Sequence, residues 1–386
     1  MNIEILKALL NISNRNILFT EILSELEQVK ILDYTNYQIY ETSEGIIPLI
    51  KISKNSKIED LKYVKVFVGA QHNEYNGLFS ILKFFKLIME DKIKISDFLR
   101  SDQILFFLPL LNPYGFLNPN RNNKFGYYLK NGTNLNRFWR RAFTPEFNNG
   151  MKDLNDFQTP DQVIIVKELL QKYWDNEDIH IYILDFHETS LLERFLIELS
   201  TNLNPFYKFD HWLKEGIVLN IISLYGIPYY RKPLFFKCNP SADHTHLNLT
   251  HKQFEIVFEK LHDYMKKNQG QGKLPFYFCY SDKSKDYCLK LANKVYKNLK
   301  EKLWETYSPA FNHSFINHGC FVNMNDVTLR SNVYSMELES KKHFFNIFEE
   351  IDKSKSDHNY FESKLKSINI SIDLALETIK EMIKLF

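Results

Sequence analysis

Short, uninterrupted apolar runs alternate with segments of helical periodicity along the first half of this chain. The runs are Lys65 to Gly69, Gln103 to Leu110 and His180 to Phe186, and apolar spacing predicts a helix from Gly77 to Met89. Continuous apolar strands that alternate with helices are typical of a parallel or mixed sheet covered on both faces. We therefore predict an α/β fold with a mixed, mostly parallel sheet between helices.

The flanking segments divide the chain into three parts. Apolar spacing in residues 1 to about 30 predicts two short helices, and the run from Tyr37 to Ile52 predicts two strands around a Ser-Glu-Gly turn. Long amphipathic helices are predicted from Ser281 to Thr306 and from Leu365 to Phe386. The interpretation is N-terminal helices in 1–37, a main domain in 38–345 with a helical and loop insertion at about 195–275, and a C-terminal helical extension in 346–386.

Charge and cysteine usage limit the partners and the compartment. The 386 residues, 44% of them hydrophobic, carry 49 basic and 47 acidic side chains, so no strong field favours nucleic acid or an anionic membrane. The N-terminus has an acid at position 4 and no basic start, which is unlike a secretory signal. The four cysteines contain no CxxC pair. We predict a cytoplasmic protein with no nucleic-acid or membrane partner.

Three polar segments stand at or near the ends of predicted strands. They read GAQHNEYNG from Gly69 to Gly77, ILDFHETS from Ile183 to Ser190, and VYSMELES from Val333 to Ser340. Ligands of open α/β sheets bind outside the carboxyl ends of the strands. A catalytic zinc ion needs three protein ligands and an open position for water, with a further carboxylate to take the proton. The three segments predict such a site, with one Zn²⁺ per chain.

The first segment leaves the identity of one metal ligand open. Glu74 follows Gln71 by three residues and His72 by two. The spacing across the turn favours Gln71, whereas ligand chemistry favours His72, because a neutral imidazole is a far better zinc ligand than an amide. In the second segment His187 is the candidate ligand. Asp185 shares its strand face and could orient polar groups near the metal.

The third segment offers the general base. Glu337 follows the β-rich pair Val333 and Tyr334, and a carboxylate at this place could take a proton from water and return it to the leaving amine. Glu339 lies on the same strand face, so both glutamates remain candidates on pattern alone.

A polar loop from Asn112 to Arg141 supplies candidate substrate contacts. Asn136 and Arg137 are predicted to bind a substrate carboxylate, because a guanidinium group binds it through two parallel hydrogen bonds and an amide adds one more. Arg121 is a candidate for polarising the scissile carbonyl group and holding its oxyanion.

In this order, these motifs resemble the zinc carboxypeptidase family, which has H-x-x-E after a strand, an N-P-x-G turn, an N-R pair, a D-x-H strand end and a late strand ending in F-E-L or similar. The matching residues here are Gln71 to Glu74, Asn112 to Gly115, Asn136 and Arg137, Asp185 to His187, and Met336 to Leu338. The resemblance covers about residues 38 to 340. It implies an eight-stranded sheet between helices, zinc ligation by Glu74 and His187, carboxylate binding by Asn136 and Arg137, and Glu337 as general base.

The chain departs from the family pattern at two positions. Alignment on Glu74 puts Gln71 at the first ligand position, as in a subgroup that trims peptidoglycan peptides with a glutamine ligand. Asn134 stands where the family usually has the aspartate that orients the first ligand histidine. Tyr307 is the nearest candidate for the family's substrate-capping tyrosine.

The predicted function is therefore a zinc metallocarboxypeptidase that uses metal-activated water to hydrolyse the C-terminal peptide bond of a substrate. Its substrate would be a peptide or acyl amino acid with a free carboxylate. One alternative is an amidohydrolase of the same fold that deacylates N-acyl amino acids. A second, motivated by Gln71 and Asn134, is a metal-free protein that binds peptides.

Overall fold

The computed structural model describes residues 1–54, 57–139, 157–189, 271–305, 309–312, 331–343, 346–357 and 359–385, together with a few positions between 256 and 267 and Val322. Nearly all of the insertion predicted for 195–275 lies outside these residues, as does Tyr307. In the described part of the chain, no helix is long and apolar enough to cross a membrane.

Within the described residues the strands form one eight-stranded sheet in the order β1-β2-β4-β3-β5-β8-β6-β7. The strands are β1 (Thr35–Thr42), β2 (Gly45–Ser53), β3 (Tyr63–Val68), β4 (Gln103–Leu108), β5 (His180–Thr189), β6 (Phe276–Tyr280), β7 (Ala310–Asn312) and β8 (Val333–Lys341). The pairs β3–β4, β3–β5, β5–β8 and β6–β7 are parallel, and the others are antiparallel. The predicted mixed, mostly parallel sheet of eight strands is confirmed.

Helices cover both faces of this sheet. They are α1 (Ile3–Leu10), α2 (Arg15–Glu27), α3 (Asn76–Met89), α4 (Pro113–Leu117), α5 (Asp161–Trp174), α6 (Lys285–Leu299), α7 (Ile347–Ser356) and α8 (Tyr360–Lys384). Successive residues of β3 alternate between two apolar clusters: Phe67 belongs to the cluster that includes residues of α1, α2, α3, α6 and α8, and Val66 to the cluster that includes residues of α5. Burial on both faces explains why the central strands are apolar without interruption.

Lys65 is the exception in the apolar strand β3. Its side chain is fully buried, and its ammonium group donates hydrogen bonds of 2.8 Å to the carbonyl oxygens of Ile383 and Leu385. These carbonyl groups lie at the C-terminal end of α8, where a helix leaves acceptors without intrahelical partners. Burial lowers the pKa of Lys65 from 10.5 to about 7. The lysine thereby joins the central sheet to the last helix.

Predicted boundaries of two helices are wrong. The helix predicted from Ser281 to Thr306 begins at Lys285 and ends at Leu299, and it ends there because the chain beyond it pairs with Leu274. The Leu274 N–H group donates to the Lys302 carbonyl oxygen at 2.9 Å, which draws this segment into extended pairing. The final helix begins at Tyr360, five residues before the predicted start at Leu365.

Candidate active site

Strand register brings the three polar segments to one place. Val68, the last residue of β3, pairs with Asp185 of β5, and Asp185 pairs with Glu337 of β8. The first segment follows the end of its strand, as predicted. His187 and Glu337 instead lie inside their strands, because β5 and β8 remain paired with each other as far as Lys341.

The turn after β3 directs the first segment toward β5. Ala70 has a φ of 42°, in the left-handed region that non-glycine residues rarely adopt. Its carbonyl oxygen accepts the Asn112 N–H group at 3.0 Å, which joins the turn to the loop after β4. Gly69 has no room for a side chain, since a Cβ atom there would lie 2.5 Å from the Pro109 carbonyl oxygen. This strained turn, held by its neighbours, presents the residues from Gln71 to Glu74.

Three buried side chains converge as a possible metal-ligand group. They are His72, Glu74 and His187, and their candidate ligand atoms all lie within 4.8 Å of one another. Glu74 Oε2 lies 2.8 Å from His187 Nδ1 and 3.5 Å from His72 Nδ1. Asp185, His187 and Glu337 form a second, overlapping group.

Hydrogen bonds on the far side of the His72 ring define its tautomer. His72 Nε2 lies 2.9 Å from Asn134 Oδ1, and the same oxygen accepts the backbone N–H of Asn136 at 2.8 Å. A backbone N–H can only donate, so it fixes the orientation of the Asn134 amide and makes Nε2 the protonated nitrogen of a neutral His72. Nδ1 is then bare, and it is buried without a hydrogen-bond partner among the described residues. Burial also lowers the pKa of His72, against the opposing effect of Glu74.

Tyr127 packs against the His72 ring. The two rings are stacked, with centroids 4.0 Å apart and planes 11° apart. The Asn134 side-chain amide donates to the Tyr127 hydroxyl oxygen at 3.2 Å. Tyr127 therefore contacts both His72 and the residue that orients it. Nothing in the sequence distinguishes Tyr127 from the other aromatic residues of its loop.

His187 is held in the same way from its outer nitrogen. His187 Nε2 lies 2.7 Å from Asp185 Oδ2, as expected for two residues on one strand face. Gln71 donates its amide to the same carboxylate oxygen, and the Trp139 indole N–H donates to Gln71 Oε1 at 3.0 Å. Burial alone would lower the pKa of His187, but the charges of Asp185 and Glu337 outweigh it and hold the pKa well above its usual value.

The outer oxygen of Glu74 is bound by a lysine that sequence reasoning missed. Lys342, directly after β8, places its ammonium group 3.1 Å from Glu74 Oε1 and 3.1 Å from Asn73 Oδ1. Burial would raise the pKa of Glu74, but Lys342 and His187 outweigh it and hold that pKa well below its usual value. Oε1 is thus occupied by Lys342, while Oε2 faces the two histidines.

Glu337 borders the ligand group. Its Oε1 atom lies 3.8 Å from His187 Nε2 and 3.4 Å from the side-chain nitrogen of Asn136. Glu339 is partly exposed and pairs in register with His187. The structure therefore brings Asn136 and Glu337 together beside the ligand group.

The two predicted arginines occupy different positions. Arg137 is partly buried, next to Asn136, and donates to the Asn136 carbonyl oxygen at 2.7 Å. Arg121 is exposed, and its guanidinium carbon lies 5.9 Å from the ring centroid of Phe348 in α7. Their predicted substrate contacts stay predictions.

No family model matches this chain, and no curated protein matches it. The solved structures similar to it include a metallo-carboxypeptidase from Pseudomonas aeruginosa in complex with (2-guanidinoethylmercapto)succinic acid, with 10% identity, coverage of 94% of this chain and 67% of that one, and a TM-score of 0.48. A metallo-carboxypeptidase from Burkholderia cenocepacia has 10% identity, coverage of 93% and 68%, and a TM-score of 0.44. Carboxypeptidase A from Helicoverpa armigera also has 10% identity, with coverage of 92% and 71% and a TM-score of 0.44. These structural neighbours of the chain are thus metallo-carboxypeptidases.

Proposed function

We propose that this protein is a zinc-dependent metallocarboxypeptidase with His72, Glu74 and His187 as the metal ligands. The supporting observation is the bare, buried Nδ1 atom of His72, which faces Glu74 Oε2 beside His187 Nδ1. A polar atom this deeply buried without a partner is costly unless something binds it. Two imidazoles and one carboxylate form a ligand set of catalytic zinc sites.

The hydrogen bonds support His72 over Gln71 as the first ligand. An amide binds a metal through its oxygen, and Gln71 Oε1 accepts the Trp139 indole N–H. The Gln71 nitrogen faces Asp185, so neither polar atom of this side chain is directed at the ligand group. His72 instead has one nitrogen held by Asn134 and one available. The Asn134 amide, in place of the family's aspartate, would then orient the first ligand histidine.

The remaining residues would act on the substrate. When bound, zinc supplies a Lewis acid that activates water and polarises a carbonyl group. Glu337, whose Oε1 atom lies 3.8 Å from His187 Nε2, would take the proton and return it to the leaving amine. Asn136 and Arg137 would bind the free carboxylate of the substrate. Arg121 would contact the scissile carbonyl group and hold its oxyanion.

Metal content tests the site directly. The protein, purified without added metal, is expected to hold close to one zinc per chain by elemental mass spectrometry, and His187→Ala is expected to lose it. His180→Ala is a matched control, because His180 lies in the same strand, seven residues from His187 and outside the ligand group. A wild-type protein that takes up no metal from micromolar zinc would refute the proposed function and favour a metal-free binding protein.

A substrate panel separates the two hydrolase activities. Peptides with a free C-terminus, the same peptides with a C-terminal amide, and N-acyl amino acids would be compared at equal concentration. A carboxypeptidase cleaves the first set and rejects the second, because the amide removes the charge that Arg137 would bind. Turnover of N-acyl amino acids alone would instead identify an amidohydrolase. Muropeptides in the panel would test the substrate class of the glutamine subgroup.

A further inference from the structure

Gln71 and Trp139 form a hydrogen-bonded chain behind His187 that the proposed reaction does not use. Both side chains are fully buried, as is Asp185, to which the chain leads. Trp139 follows the short 3-10 helix Leu135–Arg137, and Gln71 belongs to the turn after β3. The chain therefore connects two separate loops to the strand that carries His187.

Each bond in this chain has a fixed direction. The indole N–H of Trp139 can only donate, so Gln71 Oε1 must be the acceptor and the Gln71 NH₂ group must face Asp185. Asp185 Oδ2 then accepts from Gln71 and from His187 Nε2. An ionised carboxylate can only accept, so His187 Nε2 is the donor in its contact with Asp185. The ring of His187 is thereby held with Nε2 as the donor and Nδ1 directed at Glu74.

From this geometry we infer that Gln71 and Trp139 are positioning residues for the metal ligand His187, acting through Asp185. Gln71 holds the carboxylate oxygen of Asp185 in place. Trp139 keeps the Gln71 amide from flipping, which would bring the Gln71 carbonyl oxygen against the Asp185 carboxylate oxygen, two acceptors that repel each other. The inference rests on the proposed metal site but does not depend on the reaction or its substrate.

The test measures zinc affinity, by competition with a chromophoric chelator, in the full-length protein. Trp139→Phe keeps an aromatic ring and removes only the N–H donor, and Gln71→Met keeps the length of the side chain and removes both polar atoms. Each variant is expected to bind zinc about 10- to 100-fold more weakly, the usual loss when a residue behind a ligand is removed. Trp304→Phe is the matched control, since it removes an indole N–H that donates to the Lys273 carbonyl oxygen at 3.0 Å, in a different part of the fold.

Two measurements separate a positioning role from a structural one. Thermal unfolding of the metal-free proteins reports stability. We expect Trp139→Phe and Trp304→Phe to lower the unfolding temperature by similar amounts, whereas only Trp139→Phe should weaken zinc binding. The visible spectrum of the Co²⁺-loaded Gln71→Met protein should show an unchanged coordination number. Unchanged zinc affinity in Trp139→Phe would overturn the inference.

A further result would overturn it differently. If Gln71 were itself a ligand, Gln71→Met would lose zinc as completely as His187→Ala, and Trp139→Phe would bind zinc at least as tightly as wild type because it releases Oε1. Zinc binding without peptide hydrolysis in the wild-type protein would refute the proposed function and leave this inference intact.

Discussion

Replacement of Lys342 by methionine should destabilise the metal-free protein far more than the zinc-bound protein. The ammonium group lies 3.1 Å from Glu74 Oε1, and the side chain of Glu74 is only 5% exposed. Removal of one partner from a buried ion pair costs about 3–5 kcal/mol, because the other charge stays buried without compensation. We expect a loss of this size in the free energy of unfolding of the metal-free Lys342→Met protein.

Zinc should relieve much of this loss. A divalent cation at Glu74 Oε2 supplies positive charge to the same carboxylate, and the variant also lacks the like charge of the lysine. By the thermodynamic cycle, the part of the loss that zinc relieves appears as tighter zinc binding. Relief of about 1.4 kcal/mol corresponds to a tenfold lower dissociation constant. We therefore expect Lys342→Met to bind zinc at least about tenfold more tightly.

The assay is urea unfolding of each protein with a chelator and with saturating zinc. Lys364→Met is the control, because its ammonium group pairs with the buried Glu350 at 2.7 Å without belonging to the ligand group. Its loss of stability should be equal in the two conditions. If Lys342→Met lost the same free energy of unfolding with chelator and with zinc, or bound zinc more weakly than wild type, Lys342 would not share Glu74 with the metal.

Three further predictions concern turnover, substrate binding and pH. Glu337→Gln should keep its zinc and lose about 10²- to 10⁴-fold in kcat, measured by single-substrate kinetics, because only the proton acceptor is removed; unchanged turnover would point to Glu339. Arg137→Ala should raise KM for substrates with a free carboxylate, so that their kcat/KM no longer exceeds that of amidated substrates. A kcat/KM that stays higher for the free carboxylates would count against a role of Arg137 in carboxylate binding. For Lys65, whose pKa falls from 10.5 unfolded to about 7 folded, the unfolded chain holds more protons between these values, so stability should rise with pH from about 7 upward. The total gain is at most about 5 kcal/mol. In urea unfolding at several pH values, the stability of Lys65→Met should lack this rise. If the stability of the variant and of the wild type changed with pH in parallel, this prediction would be contradicted.

The fold was largely predictable because its strands are buried on both faces. The apolar runs after Lys65, Gln103 and His180 became β3, β4 and β5 with small changes at their ends. The helix predicted from Ser281 failed at its end, because amphipathic spacing continues through Leu303 although that residue is in extended pairing with Leu274. Local periodicity carries no information about such a distant partner.

The candidate site was predictable in chemistry and less so in geometry. Residue type near strand ends indicates Glu74, His187 and Glu337 as candidates, and the strand register brings the segments that carry them together. No sequence pattern indicates that Lys342 belongs to the site, since a lysine after a charged strand end is usually solvated. Its role depends on the first segment and β8 meeting in space.

The sequence by itself determined the two-sided apolar sheet and the set of polar residues at one edge of it, since both follow from residue type and order. Only the tertiary structure favours His72 over Gln71 in the proposed ligand set. That choice depends on the left-handed turn at Ala70 and on two groups that can only donate, the Trp139 indole and the Asn136 backbone N–H. Hydrogen-bond direction is a property of atoms brought together by folding, and spacing along the chain cannot specify it.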